Sequence, residues 1–362
     1  MTDFEEYIIQ SEPDKKEKGI IWQTAIGLQQ VDGLKPSAYL IETAKQNIEG
    51  DITFDEVKSR IEAYYKTELV RQNITADDRT EEADKVSARI AEILSEKTFS
   101  FSPTEYIGIH RRLFSGIYKF AGKIRDYNIT KSEWVLDGET VLYAGADMLK
   151  ATLEYDFEQE KKFSYTGLSQ QQIIEHIAHF IAELWQIHIF GEGNTRTTAV
   201  FLIKYLRKLG FQDVNNELFA QHSWYFRNAL VRANYENIAQ GVHRTYTYLV
   251  RFLSGMLLKE SNILKNRELH IKFIALANTG INVTDKVTDN VTDNVTDRNS
   301  KIIALIKGDN HISTAKMAMI LSVSKRTILR DLEKLKQSGQ IFREGDEKTG
   351  SWLIAAKEPY NE

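Results

Sequence analysis

Apolar residues recur at three- and four-residue spacing through most of the first two-thirds of the chain, the period of α-helices with one buried face. The pattern predicts helices at Ser87–Leu94, Pro103–Phe114, Ala144–Glu160, Gln170–Gln186, Thr195–Leu209, Ser223–Tyr235 and Tyr246–Leu264. The second is the best marked, because Ser102-Pro103-Thr104-Glu105 puts proline at the first helical position and an acid in the first turn. Between Arg125 and Tyr143 the period shortens. Tyr127-Asn128-Ile129-Thr130 and Trp134-Val135-Leu136, followed by the turn dipeptide Asp137-Gly138, predict a β-hairpin or extended flap on a helical body.

The pattern then fails in one place. Four tandem tetrapeptides, beginning at Val283, Val287, Val291 and Val295 and each continuing Thr-Asp, offer one apolar side chain per unit. Such units cannot bury a core, so the segment is expected to be a linker. Beyond it, Ile302 to Ile306 precedes a helical stretch Thr314–Leu321, a turn Ser322-Val323-Ser324 and a second helix Lys325–Gln337. Two helices on a three-residue turn are the frame of helix-turn-helix modules. Ile341-Phe342-Arg343 and Ser351-Trp352-Leu353-Ile354 read as a two-stranded wing. Lys325, Arg326 and Arg330 lie toward the start of the second helix, where a recognition helix meets the major groove, and are the DNA-binding candidates; docking to protein or pairing with a second copy is the alternative use. The stretch from Leu321 to Leu332 resembles the winged-helix modules of bacterial repressors. The organisation expected is an N-terminal helical segment at 1–95, a core domain at 96–265, a linker at 266–299 and a winged-helix domain at 300–357.

Composition changes this picture at two points. The 362 residues carry no cysteine, which excludes a disulfide framework, a thiolate zinc site and a cysteine nucleophile, and fits a reducing, cytoplasmic setting. The net charge of −4 is unevenly spread: residues 300–357 hold eleven Lys/Arg against six Asp/Glu, so this stretch is +5 and the remainder −9. A basic tail on an acidic body raises the question of nucleic acid. No apolar run is long enough to span a membrane, and the polar, acidic start of the chain does not read as a secretory signal.

The chemistry concentrates at His188-Ile189-Phe190-Gly191-Glu192-Gly193-Asn194-Thr195-Arg196-Thr197, between two helical segments. A glycine-containing turn feeding a helix start presents unpaired N–H groups and the positive end of the helix dipole, an anion site to which Arg196 adds a charge. Glu192 beside a polyphosphate is a candidate Mg²⁺ ligand, and His188 can accept a proton near neutral pH. Together these groups suit attack by a hydroxyl on a metal-bound nucleotide phosphate.

This segment resembles the motif of Fic-domain proteins, which reads His, any, Phe, any, Asp/Glu, Gly, Asn, any, Arg, two any, Arg; the stretch from Ile109 to Arg125 also looks like the segment preceding the Fic flap, and the likeness covers roughly Phe99 to Leu258. It implies a mainly α fold, a helical core with a β-hairpin flap, and transfer of a nucleotide monophosphate, usually AMP from ATP, onto a protein hydroxyl. Carried over by position, His188 would be the general base and Glu192 the Mg²⁺ ligand. Gly193, Asn194 and the Thr195 backbone would cradle the anion, Arg196 would hold the β-phosphate side, and the flap around Ile129 to Leu136 would align the target by strand pairing. The chain departs from the motif at Ala199, where the family has its second arginine, the one that contacts the γ-phosphate.

Thr24 to Ser37 is similar to the inhibitory helix of the small antitoxins that silence Fic toxins, with Asp32 in the place of the inhibitory Glu and Leu28 in that of the Ser/Thr. With Ala199 opposite, the usual ion pair is not expected, and the N-terminal helices are expected to pack structurally. Ser59-Arg60-Ile61-Glu62 is a rival match, followed by Ala63 where the motif has Gly or Asn. Two functions follow: a Mg²⁺-dependent nucleotidyl transferase acting on a protein hydroxyl, or a DNA-binding regulator whose core senses nucleotide without turnover. A two-fold homodimer is a possible assembly for either.

Overall fold

The computed structural model describes residues 4–67, 79–211, 216–273, 302–321, 325–337, 340–344 and 351–354, so the four tetrapeptides lie outside the described residues. The chain divides into two compact units, 1–280 and 281–362.

The first unit is helical. Its N-terminal part comprises α1 (Glu5–Gln10), α2 (Pro13–Gly27), a 3₁₀ turn at Leu28–Asp32, α3 (Ala38–Glu49), α4 (Phe54–Lys66) and α5 (Thr80–Ser95). Then come α6 (Pro103–Phe114), α7 (Leu149–Lys162), α8 (Gln170–Ile187), α9 (Asn194–Lys208), α10 (Glu217–Ala233), α11 (Thr247–Leu258) and α12 (Asn266–Leu269). The caps explain several boundaries. Ser102 accepts the Glu105 N–H at 3.1 Å ahead of Pro103, as its sequence predicts. Ser169 and Gln172 form a reciprocal capping box at the start of α8. The helix expected to run to Leu264 stops at Leu258, because Lys259 turns left-handed at φ 57°.

One core joins all of this unit, from Phe4 to Ile271. Phe101, partly buried, packs against this core with its ring 4.5–5.9 Å from those of Phe157, Phe180, Phe201 and Tyr205. The N-terminal helices share that core, since α2 packs against both α5 and α10. At the α2–α10 crossing a Cβ on Gly27 would stand 2.2 Å from the Ala220 Cα, so only glycine permits the approach. Thr24 Oγ1 donates to the Asn216 carbonyl (3.1 Å) and Ser223 Oγ to that of Gly27 (2.8 Å). These contacts fix where the 3₁₀ turn carrying Asp32 points.

The predicted hairpin is not a strand ladder. Residues 125–143 form an extended loop around a 3₁₀ turn, Trp134–Leu136, closed by left-handed Asp137 and Gly138. Glu133 N–H donates to the Glu139 carbonyl (2.9 Å), but where the next rung would run, Lys131 N–H donates to the Thr140 hydroxyl (3.1 Å). The cause is burial. Glu133, Val135, Leu136 and Val141 all turn into the body, which pulls the two arms out of register for pairing.

The second unit has a helix over 302–308, then α13 (Thr314–Ile320), α14 (Lys325–Gln337) and an antiparallel pair, β1 (Ile341–Glu344) and β2 (Ser351–Ile354). Ile341 opposes Ile354 and Arg343 opposes Trp352. Ile302, Ile306, Met317, Ile328, Leu332 and Trp352 close a separate small core, the arrangement expected of a winged helix. Among the described residues no helix is long and apolar enough to cross a membrane.

Candidate active site

His188 ends α8. It adopts φ 49°, ψ 51°, a left-handed conformation uncommon outside glycine, and this turns the chain sharply into the motif loop. The turn is held by Arg125, buried beneath the loop. Its Nε donates to the His188 carbonyl (2.7 Å), Nη1 to that of Tyr127 (2.5 Å) and Nη2 to that of Ala144 (2.5 Å). One guanidinium thus ties both ends of the extended loop to the base of the site.

From His188 to Asn194 the loop is closed by reciprocal bonds. Phe190 N–H donates to Asn194 Oδ1 (3.0 Å), and Asn194 Nδ2 returns to the Phe190 carbonyl (2.8 Å). Gly193 caps α9 at φ 79°, and a Cβ there would lie 2.4 Å from the Phe114 ring. His110 supports the same loop from α6. Its Nδ1 accepts the Gly122 N–H (2.8 Å), which leaves Nε2 to donate to the Glu192 carbonyl (3.0 Å). Burial, opposed by that carbonyl, pushes the His110 pKa down to about 4. Trp185 Nε1 donates to Thr195 Oγ1 (2.9 Å), so the Thr195 side chain is structural and its backbone faces the helix start.

The His188 ring is 3% exposed, between Tyr143 and Trp185 with centroids at 4.2 and 5.2 Å. Neither ring nitrogen has a hydrogen-bond partner among the described residues. Burial, reinforced by the positive charge of Lys131, holds its pKa well below the ordinary value, so the imidazole is neutral at pH 7. Glu192 stands at the mouth with its side chain half exposed, and its Oε2 is 3.0 Å from Lys131 Nζ of the extended loop.

Arg196 and Asp32 depart from expectation. The Arg196 guanidinium is fully buried and turned to the N-terminal helices. Nη2 is 2.7 Å from Glu82 Oε1 and 2.8 Å from Asp32 Oδ2, Nη1 donates to Gln29 Oε1 (3.0 Å), and Cζ lies 4.8 Å over the Phe114 ring. Asp32 therefore does face a motif arginine, the first one rather than the missing second. The 3₁₀ turn and the bond of Tyr118 OH to Glu82 (2.6 Å) bring both acids to the same guanidinium. The rival acid Glu62 is exposed and 3.7 Å from Lys66. Ala199 is wholly buried. Lys325 and Arg326 open α14 and Arg330 follows within it, but their side chains lie outside the described residues.

Four further residues matter here: His110 and Arg125 fall within the 109–125 stretch that resembles the segment before the Fic flap, though that likeness gives them no role, and Glu82 and Lys131 carry no local sign in the sequence. Each acts through a partner at least 60 positions away.

A fit for a divalent cation can be tested on the donor set. Among the described residues no group of three or more His, Asp or Glu side chains could hold a metal. Glu192 alone offers one carboxylate at the mouth, which suits a Mg²⁺ whose other ligands are phosphate oxygens and water.

Residues 100–206 match the profile of the Fic/DOC family and residues 298–345 that of an HTH domain. The chain is similar to the protein adenylyltransferase VbhT of Bartonella schoenbuchensis, at 29% identity over 28% of this chain and 20% of that protein. It is also similar to the probable protein adenylyltransferase y4lH of Sinorhizobium fredii, at 25% identity over 45% of this chain and 81% of that one. The chain thus spans a fifth of the length of the first and four-fifths of the second. Among solved structures, the N-terminal FIC domain of the Bep8 protein from Bartonella sp. 1-1C covers 54% of this chain and 93% of its own at 19% identity, TM-score 0.40. A FIC domain containing signaling protein from Bacteroides thetaiotaomicron covers 74% and 100% at 16% identity, TM-score 0.40. This chain carries a Fic/DOC family domain at 100–206, joined to an HTH domain at 298–345.

Proposed function

We propose that the chain transfers a nucleoside monophosphate, AMP in the first instance, from a nucleoside triphosphate to a hydroxyl side chain of a target protein, which can include itself. The observation that carries this reading is His188: a buried, neutral imidazole with both nitrogens unpartnered among the described residues, beside a glycine-capped helix start. Buried polar groups in native proteins are nearly always bonded, and one that is not suits a proton acceptor awaiting its substrate. In the proposed step the target oxygen attacks the α-phosphorus, its proton passes to a ring nitrogen of His188, and the bond to the β-phosphate breaks to release pyrophosphate. The start of α9, with Gly193 and Asn194 as its cap, would stabilise the charge on the phosphate oxygens. Glu192 would hold the divalent cation, which supplies charge neutralisation on the phosphates when bound.

Asp32 and Glu82 enter as restraints. By holding Arg196 they keep it from a donor phosphate, so Asp32→Asn and Glu82→Gln are expected to raise transfer if the guanidinium has to swing out. The principal experiment is transfer of label from α-³²P-ATP with Mg²⁺ to the purified protein and to a cell lysate, alongside His188→Ala. Label lost in the variant supports the reading; no label from any nucleotide donor, with or without Asp32→Ala, removes it.

The HTH domain favours a second activity, DNA binding through Lys325, Arg326 and Arg330. It predicts a salt-dependent shift of duplex DNA that weakens as those charges are neutralised. A tail that shifts no DNA at low salt would end it.

A further inference from the structure

The motif's usual cations are withdrawn from this site. Position 199 is a buried alanine, and Arg196 is committed to Asp32, Glu82 and Gln29. Arg125 is bonded to backbone carbonyls, and Arg227 is paired with Glu133 at 2.7 Å. Beside the divalent cation assigned to Glu192, a donor polyphosphate calls for a protein cation near the point of transfer.

We propose that Lys131, reaching over the site from the extended loop, is the residue that binds the donor's phosphates, a role that rests on the nucleotidyl-transfer reading above. Its position carries the assignment. Nζ is 3.0 Å from the carboxylate of Glu192, four residues along the motif turn from His188, and its positive charge acts on the His188 ring, so the ammonium stands beside the motif turn that carries both the proton acceptor and the acid. The phosphoryl group in transit has to pass between those two groups. The loop holds Lys131 there by its own bonds: Lys131 N–H to Thr140 Oγ1 (3.1 Å), Ser132 Oγ to the Gly138 carbonyl (2.9 Å) and Glu133 N–H to the Glu139 carbonyl (2.9 Å). An ammonium has three donors, so it can bond a phosphate oxygen while still near Glu192. Without donor, the same charge neutralises Glu192 and opposes a metal ion there. With donor, phosphate oxygens compete for the ammonium and release the carboxylate.

The test is calorimetric binding to the full chain and to Lys131→Met and Lys131→Arg, with three probes: ATP in EDTA, adenosine, and Mn²⁺ alone. A charge-assisted hydrogen bond implies that Lys131→Met weakens ATP binding about tenfold or more. Adenosine affinity should stay within about twofold, Lys131→Arg should keep most of the ATP affinity, and Mn²⁺ alone should bind Lys131→Met more tightly than the wild type. Lys131→Met binding ATP as the wild type does would overturn the assignment and leave the transfer reading intact. Equal loss of ATP and adenosine would also overturn it, by showing that the loop itself had moved. A wild-type chain that binds no ATP would overturn both.

Discussion

Glu82→Gln examines the tie between the N-terminal helices and the motif helix. The carboxylate is 8% exposed and accepts from Arg79 (2.7 and 2.8 Å), Tyr118 (2.6 Å) and Arg196 (2.7 Å), while Arg196 itself has no exposure. Breaking a buried ion pair from one side costs about 3–5 kcal/mol because the other charge is left uncompensated. Here Asp32 remains, but its side chain is 26% exposed and better screened, so a loss of about 2–3 kcal/mol is expected for Glu82→Gln and about 1 kcal/mol for Asp32→Asn. The pair of substitutions should cost more than their sum, since each removes what compensates the other. Urea unfolding followed by tryptophan fluorescence measures this, and the melting temperature should fall by roughly 5–10 °C. A pH arm follows. Burial raises the Glu82 pKa, but Arg79, Arg196 and Tyr118 together hold it below the ordinary carboxylate value. Its contribution is therefore present above the unfolded value of about 4.3 and is lost as pH falls through the lower folded one, so the penalty of Glu82→Gln should shrink toward pH 3. A Glu82→Gln protein within about 0.5 kcal/mol of wild type at pH 7, with no coupling to an Arg196→Met substitution, would refute the reasoning.

Three further outcomes are expected. His110 has a depressed folded pKa of about 4, so unlike the unfolded chain it resists protonation, and stability should fall by on the order of 3 kcal/mol as pH drops from 6.5 to 4; His110→Gln should flatten that slope in acid unfolding curves. Gly193→Ala must place a side chain at φ 79° and against Phe114, so it should cost about 2–4 kcal/mol and abolish label transfer; a stable, active Gly193→Ala protein would contradict the description of the loop. Trp352 is 4% exposed with Arg343 4.7 Å over its ring, so Trp352→Ala should cost the C-terminal unit about 3–5 kcal/mol while the first unit's unfolding midpoint stays put, as two separate cores require.

Much of the fold was legible because it is local. Ser102-Pro103 announces α6 through a cap and a fixed φ, and the two helices at Thr314–Ile320 and Lys325–Gln337 and the two strands of the tail follow from periods that short segments display by themselves, while the turn expected at 322–324 lies outside the described residues. The grouping of His188, Glu192, Gly193 and Asn194 was equally legible, since those residues are neighbours along a single turn. At 125–143 alternation left a β-hairpin and an extended flap open, and it could not decide between them because it cannot say that Glu133 and Val141 turn inward and break the ladder.

The sequence by itself determined which residue types stand at the motif turn and which of them is missing, at position 199. Only the tertiary structure decided what Arg196 does. Its partners Glu82 and Gln29 lie 114 and 167 positions away, on α5 and within the 3₁₀ turn, and they meet it because Gly27 lets α2 lie against α10. An ion pair depends on distance in space, and no period along the chain encodes that. The same holds for Lys131, whose charge matters to Glu192 only because the loop folds back across 61 residues to meet it.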